Sequence, residues 1–288
     1  MSASPEELLA AGDPQGALKA LQQKVRANAA DVRLRIFLFQ LLAVLGQWQR
    51  AADQLKVCGE LDAGTLAMVN TYGPALRCEA VREAVFAGRT LPHVFGPPTA
   101  WVAGLAQALQ LDASGQAAAA AAQRAEAMDQ AEARPGSLQL SVPAAEGDGS
   151  GNAVSRPFAW IADADSRLGP VFEVVINGRY GWLPMQHVSE LAIEPVADLR
   201  DLVWAPAHLT FANGGETVAL LPVRYAGTPL AEGGPLAMSR QTEWVELGGG
   251  PDAGQYRGLG QRIFTTDAEE HGLLEVRRIA LPQPAAAA

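Results

Sequence analysis

Asp163 and Asp165 stand one residue apart in the stretch "DADSRLGP", with Gly169 close behind, and that spacing opens like a calcium loop. An EF-hand loop needs oxygen ligands at positions 1, 3 and 5, a glycine at 6 and a bidentate glutamate at 12. Counted from Asp163, the last three of these fall on Arg167, Leu168 and Val174. A cation replaces a ligand and an apolar side chain replaces the glutamate, so calcium is not expected. A local role fits better: the two aspartates form Asx-type turns or pair with Arg167, and Gly169-Pro170 turns the chain into the next strand.

The other chemistry-bearing residues give no stronger pattern. His93, His187, His208 and His271 are widely separated and match no zinc-ligand spacing, so no metal site is expected. "GLGQRI" (258–263) lacks the third glycine and the βαβ context of a dinucleotide loop and reads as a bulge or turn. No motif calls for a cofactor. The acidic run Asp267, Glu269 and Glu270 reads as solvated surface. Trp160, Trp182, Trp204 and Trp244 read as core at strand spacing. An enzyme or small-ligand pocket in this half would have to gather Asp163 and Asp165 with His187 or His208 beside those tryptophans.

Two halves of different period must position these residues. Of the formal charge of −9, residues 1–135 carry −1 and residues 136–288 carry −8, with all lysines in the first half. Such an acidic second half repels phosphate backbones, which argues against nucleic acid as a partner. No stretch is apolar enough to span a membrane, and no signal-peptide pattern opens the chain, so a cytoplasmic protein is expected. Cys58 and Cys78 lie in apolar helical stretches and read as buried free thiols.

Up to Arg134 the apolar spacing is helical. Ser4-Pro5 and Asp13-Pro14 pair an N-cap with a proline at the first helical position. Gly12 and Gly46 are 34 residues apart, as are Ala17 and Ala51, and Leu21 and Leu55, with a further echo at Gly115. That is the tetratricopeptide period, in which glycine permits the turn between two helices and alanine their close crossing. About three irregular helix pairs are expected, with an ordinary helical bundle as the alternative. Proline, glycine and serine punctuate residues 135–156, which read as a linker, mobile around 147–151. From 157 the period is that of strands, with Asn177-Gly178 and Asn213-Gly214-Gly215 as hairpin turns. The expected class is therefore α+β, with a TPR-like domain (1–134), the linker and a β-rich domain (157–288).

Four runs in order, "FAWIADADSRLGPVFEVVINGRYGWLP", "DLRDLVWAPAHLTFANGGE", "TEWVELGGG" and "YRGLGQRIF", resemble the ImpE family, also called TagJ. These are accessory proteins of the bacterial type VI secretion system. The resemblance makes Asp163, Asp165, Arg167, Gly169 and Pro170 a structural segment of the family. It implies an adaptor, not an enzyme, which binds an N-terminal helix of the small contractile-sheath subunit and bears on sheath recycling by an AAA+ ATPase. Helical repeats offer concave surfaces to such helices. With Gly46 at a turn, the concave positions of the preceding helix include Arg33, Ile36 and Gln40. One repeat further, they include Asn70 and Arg77.

Overall fold

Ser4 and Asp13 cap the first two helices as their types require. The Ser4 hydroxyl accepts the Glu7 N–H (3.1 Å) while the Glu7 carboxylate takes the Ser4 N–H (2.7 Å), closing a capping box on α1 (Pro5–Ala10). Asp13 accepts the Gly16 N–H at the start of α2 (Pro14–Ala27). The helices α3 (Val32–Val44), α4 (Trp48–Leu61), α5 (Leu66–Phe86), α6 (Ala100–Ala113) and α7 (Ala117–Gln130) follow. The computed structural model describes residues 3–141, 155–231, 233–248 and 254–282; the part of the expected linker around 147–151 lies outside them.

Three helical hairpins, α1–α2, α3–α4 and α6–α7, turn at Gly12, Gly46 and Gly115, whose φ values of 81°, 66° and 78° are left-handed. Five residues after each glycine comes a wholly buried alanine: Ala17, Ala51 and Ala120. Nine residues after it come Leu21 and Leu55 in the first two hairpins, but Arg124 in the third. Arg124 is 1% exposed, and its guanidinium donates to Asp112 (2.5 Å) and to Gln255 of the β-rich half (2.6 Å). The longer α5 stands outside these pairs and carries Pro74 within it.

The second half supplies β1 (Gly136–Leu140), β2 (Ser155–Phe158), β3 (Ile161–Asp163), β4 (Val171–Ile176), β5 (Arg179–Pro184), β6 (Val188–Ile193) and β7 (Trp204–Phe211). It continues with β8 (Glu216–Pro222), β9 (Thr242–Glu246), β10 (Tyr256–Gly260), β11 (Ile263–Thr266), β12 (Glu270–Gly272) and β13 (Val276–Ala280). Eight strands form one antiparallel sheet in the order β2-β1-β13-β6-β7-β8-β4-β5. Three more form β12-β11-β3, and β9 and β10 make a separate hairpin. Asn177 and Gly178 turn β4 into β5 with φ of 50° and 73°, the type I′ signature.

Residues 136–140 depart from the linker reading. They form β1, hydrogen-bonded between β2 and β13, with Leu138 buried. Gly136 serves close approach there, since a Cβ would lie 2.2 Å from the Ala280 carbonyl oxygen and 2.7 Å from the Phe158 ring. The loop between α5 and α6 also joins the sheet. Phe95 N–H donates to Trp182 O (2.8 Å) and Trp182 N–H to His93 O (2.7 Å), so this loop covers the outer edge of β5.

Alternation along the strands gives the large sheet two different faces. Val171, Val175, Tyr180, Trp182, Trp204 and Leu220 join the helices in one apolar cluster. Phe172, Val174, Ile176, Leu183, Ala205 and Leu221 join a second cluster, with Phe264 of β11 and Val276 and Ile279 of β13.

Candidate functional site

The "DADSRLGP" segment folds as a chain of short-range hydrogen bonds. Asp163 Oδ1 accepts the Asp165 N–H (2.8 Å), Asp165 Oδ1 accepts the Arg167 N–H (2.9 Å), and Asp163 N–H donates to Gly169 O (2.7 Å). These are the Asx turns expected from the residue types. Arg167 also pairs with Asp165 through Nη2 (2.6 Å), and its guanidinium lies over the Phe86 ring of α5 at 4.7 Å. Gly169 (φ 59°) presses so closely on Met128 of α7 that a Cβ would lie 2.3 Å from its methyl carbon.

From this segment an ionic seam runs between the sheet and α5. Arg262 bonds both Asp163 and Glu173 of β4, and its Nε donates to Pro222 O (3.0 Å). Arg82 of α5 reaches the same Glu173 (2.8 Å) and also Glu79 (3.6 Å). The Tyr180 hydroxyl donates to Glu173 (2.5 Å), the Trp182 indole to Tyr180 (3.1 Å) and the Trp204 indole to Glu79 (2.7 Å). Tyr225 donates to Asp163 (3.1 Å), and the Gly258 N–H to Asp165 (3.0 Å). Arg224 pairs with no carboxylate among the described residues. It donates to the carbonyls of Val44 (2.5 Å), Ala43 (3.3 Å) and Ala237 (2.8 Å), and so caps the C-terminus of α3 with a positive charge. Arg82, Arg167 and Arg262 thus pair with the carboxylates of Glu79, Asp163, Asp165 and Glu173, and these seven side chains and Arg224 are all buried.

Electrostatics within the seam are uneven. Burial raises the Glu173 carboxyl, but Arg82 and Arg262 outweigh it and hold the group at about 2. Burial, with Asp165 beside it, pushes Asp163 up to about 6 against the pull of Arg262. Burial also lowers Arg224 to about 10. Every carboxylate here is committed to partners within the chain. No group of three or more His, Cys, Asp or Glu among the described residues is placed to hold a metal ion.

The residues of the alternative pocket are dispersed. Asp163 and Asp165 are bonded to turns and arginines, with no histidine among their hydrogen-bond partners. The His187 ring packs against Gly96 in the loop that covers β5. His208 is exposed on β7 and faces Glu194 at 3.6 Å.

The five helical positions separate too. Gln40 is buried, with its amide 3.5 Å from Asp198 beside the 3-10 turn Leu199–Leu202, so the chain covers that part of α3 itself. Arg33, Asn70 and Arg77 are exposed and Ile36 is half-buried. Asn70, but not the other four, lines a cleft of about 400 Å³ between α5 and the strands β4, β7 and β8, beside Pro74, Asn177, Pro206 and the exposed Val218. Nothing in the spacing of α5 signalled this cleft, because its far wall comes from strands more than a hundred residues on.

Helical hairpins joined through buried charge to an antiparallel sheet define an α+β protein. Comparison with known proteins gives the particular family. The family model described as "ImpE protein" matches residues 155–280. Over 274 residues the chain is 53% identical to the type VI secretion system accessory component TagJ of Pseudomonas aeruginosa, covering 95% of this chain and 89% of that protein. The chain belongs to the ImpE/TagJ family of type VI secretion accessory proteins. Its fold is shared with a crystal structure of the Vibrio parahaemolyticus protein VPA1032, at TM-score 0.82 and 20% identity over 98% of each chain.

Proposed function

We propose that this chain is a non-catalytic adaptor of a type VI secretion system, working in the cytoplasm. It binds the N-terminal helix of the small contractile-sheath subunit and modulates recycling of the contracted sheath by the AAA+ ATPase. The observation that carries the reading is the 53% identity to TagJ across nearly the whole chain. Two features of the molecule support it. No helix among the described residues is long and apolar enough to cross a membrane. Arg33, Ile36, Asn70 and Arg77 remain accessible on α3 and α5, where apolar and basic groups can meet an amphipathic helix, whereas Gln40 serves as an internal contact.

Calorimetric titration of the full chain with a peptide of that sheath helix tests the proposal. Saturable binding, weakened by Arg33→Glu or Ile36→Asp without loss of fold, is the expected result. Unchanged affinity in both variants removes the α3 face from the account. No binding to the folded chain overturns the adaptor reading itself.

A further inference from the structure

Of the four tryptophans in the β-rich half, Trp182 and Trp204 are wholly buried, but Trp160 and Trp244 are not. Trp244 is 40% exposed on β9 and Tyr256 43% exposed on β10. The register pairs Trp244 with Gly258 and Glu246 with Tyr256, so Trp244 and Tyr256 project from the same face of the hairpin. They wall a notch of about 330 Å³ whose other sides are Ala164 and Glu270. Thr265 pairs with both Ala162 and Glu270, which puts Glu270 on the outward face of the three-stranded sheet.

The walls are held in place. Tyr256 N–H donates to Ser166 Oγ (3.0 Å) and Ser166 N–H to Tyr256 O (2.9 Å), tying the hairpin to the turn after Asp165. The Trp244 ring packs against buried Tyr225, with centroids 5.7 Å apart. Glu270 is exposed and its carboxylate has no ion pair or hydrogen bond among the described residues. The neighbouring Glu269 is already shared between Arg156 and His271. Arg257, the arginine of β10, lies on the other face of the hairpin, with its Nη1 3.0 Å from where a Cβ on Gly227 would sit.

Two aromatic faces beside an unpaired carboxylate attract an organic cation. Guanidinium groups of the chain itself lie 4.7 to 5.8 Å from the rings of Phe86, Tyr72 and Tyr225. We propose that the notch formed by Trp244, Tyr256, Glu270 and Ala164 binds an arginine side chain of a partner protein. A planar guanidinium stacks on an indole while its N–H groups reach a carboxylate, which a lysine ammonium does less well. The −8 charge of residues 136–288 favours approach of a basic partner. The inference does not depend on where a sheath helix docks.

Indole N–H resonances of the full-length protein test it, since its six tryptophans give six signals and Trp244→Phe identifies one of them. The probe is N-acetyl-arginine N-methylamide, with the citrulline and lysine counterparts as controls. A saturable shift of the Trp244 signal is expected with arginine, a weaker effect with lysine and none with neutral citrulline. Glu270→Gln, an exposed substitution that leaves the fold unchanged by circular dichroism, weakens arginine binding by about threefold. Equal shifts with citrulline, equal affinity in Glu270→Gln, stronger binding of lysine, or no shift at Trp244 would each overturn the proposal.

Discussion

The two faces of the large sheet solve the same packing problem in opposite ways. The face toward β11 is closed by Phe172, Val174, Ile176, Leu183 and Ile279 clustered with Phe264, with the Phe172 and Phe264 rings edge to face at 5.8 Å. The face toward the helices holds Trp182 and Trp204 but also the Glu173–Arg82–Arg262 core of the ionic seam. An apolar face gains free energy from burial and tolerates volume-conserving swaps among apolar side chains. A buried ion pair gives little net stability, because desolvation offsets the attraction, yet misplacing it is severe. The comparison teaches that the helix–sheet joint is specified by charge while the sheet's other face is held by volume.

Substitutions on either face sharpen this contrast. Phe172→Ala and Arg262→Met are each expected to cost about 3–5 kcal/mol in urea unfolding, the first by leaving a cavity and the second by stranding Asp163 and Glu173. Only the Arg262→Met loss should shrink as the pH is lowered, because protonation relieves the stranded carboxylates. A pH-independent loss in both variants would break the comparison.

Wild-type stability should carry the seam's signature. Glu173 titrates near 2 in the fold and near 4.5 unfolded, so its contribution is present above 4.5 and lost as the pH falls from there towards 2. The full effect is about 3 kcal/mol, and Glu173→Gln should abolish this limb. Asp163 acts in the opposite sense. With its folded pKa raised to about 6 from 3.8, it favours the fold at acid pH and loses that contribution as the pH rises through 6. Between pH 7 and 5 the wild type should therefore gain about 1 kcal/mol that Asp163→Asn does not.

Two further substitutions complete the series. Trp204→Phe removes the indole donor to buried Glu79 and should cost about 1.5–3 kcal/mol, visible as a lower urea midpoint. Val218→Thr, on an exposed strand position at the rim of the α5 cleft, should change stability by less than about 0.5 kcal/mol.

Local chemistry was readable in the residues. The caps at Ser4 and Asp13, the helix turns at Gly12, Gly46 and Gly115, the Asn177-Gly178 hairpin and the Asx turns of Asp163 and Asp165 each depend on neighbours within a few positions. Long-range partners were not readable. Arg82 and Glu173 lie 91 residues apart, and Arg224 meets the end of α3 across 180 residues. A lone arginine in an apolar stretch shows only that it needs a partner, not which one. β1 escaped because Ser137-Leu138-Gln139-Leu140 alternates over only a few residues amid turn formers, and Gly136 looked like flexibility when it serves close contact. Gln40 failed as a groove residue for a related reason: periodicity identifies a face of α3 but not what lies upon it. Trp244 shows the limit of composition, since strand spacing alone does not separate a core tryptophan from one at a notch.

The strand order has a consequence for biosynthesis. β13, the last strand among the described residues to leave the ribosome, inserts between β1 and β6. Until it emerges, β1 and β2 form an isolated ribbon with no route to the rest of the sheet, and Leu138 has no Ile279 opposite it. A chain truncated before residue 276 therefore lacks the strand that joins β1 to β6, and the edges of those two strands have no β13 to pair with.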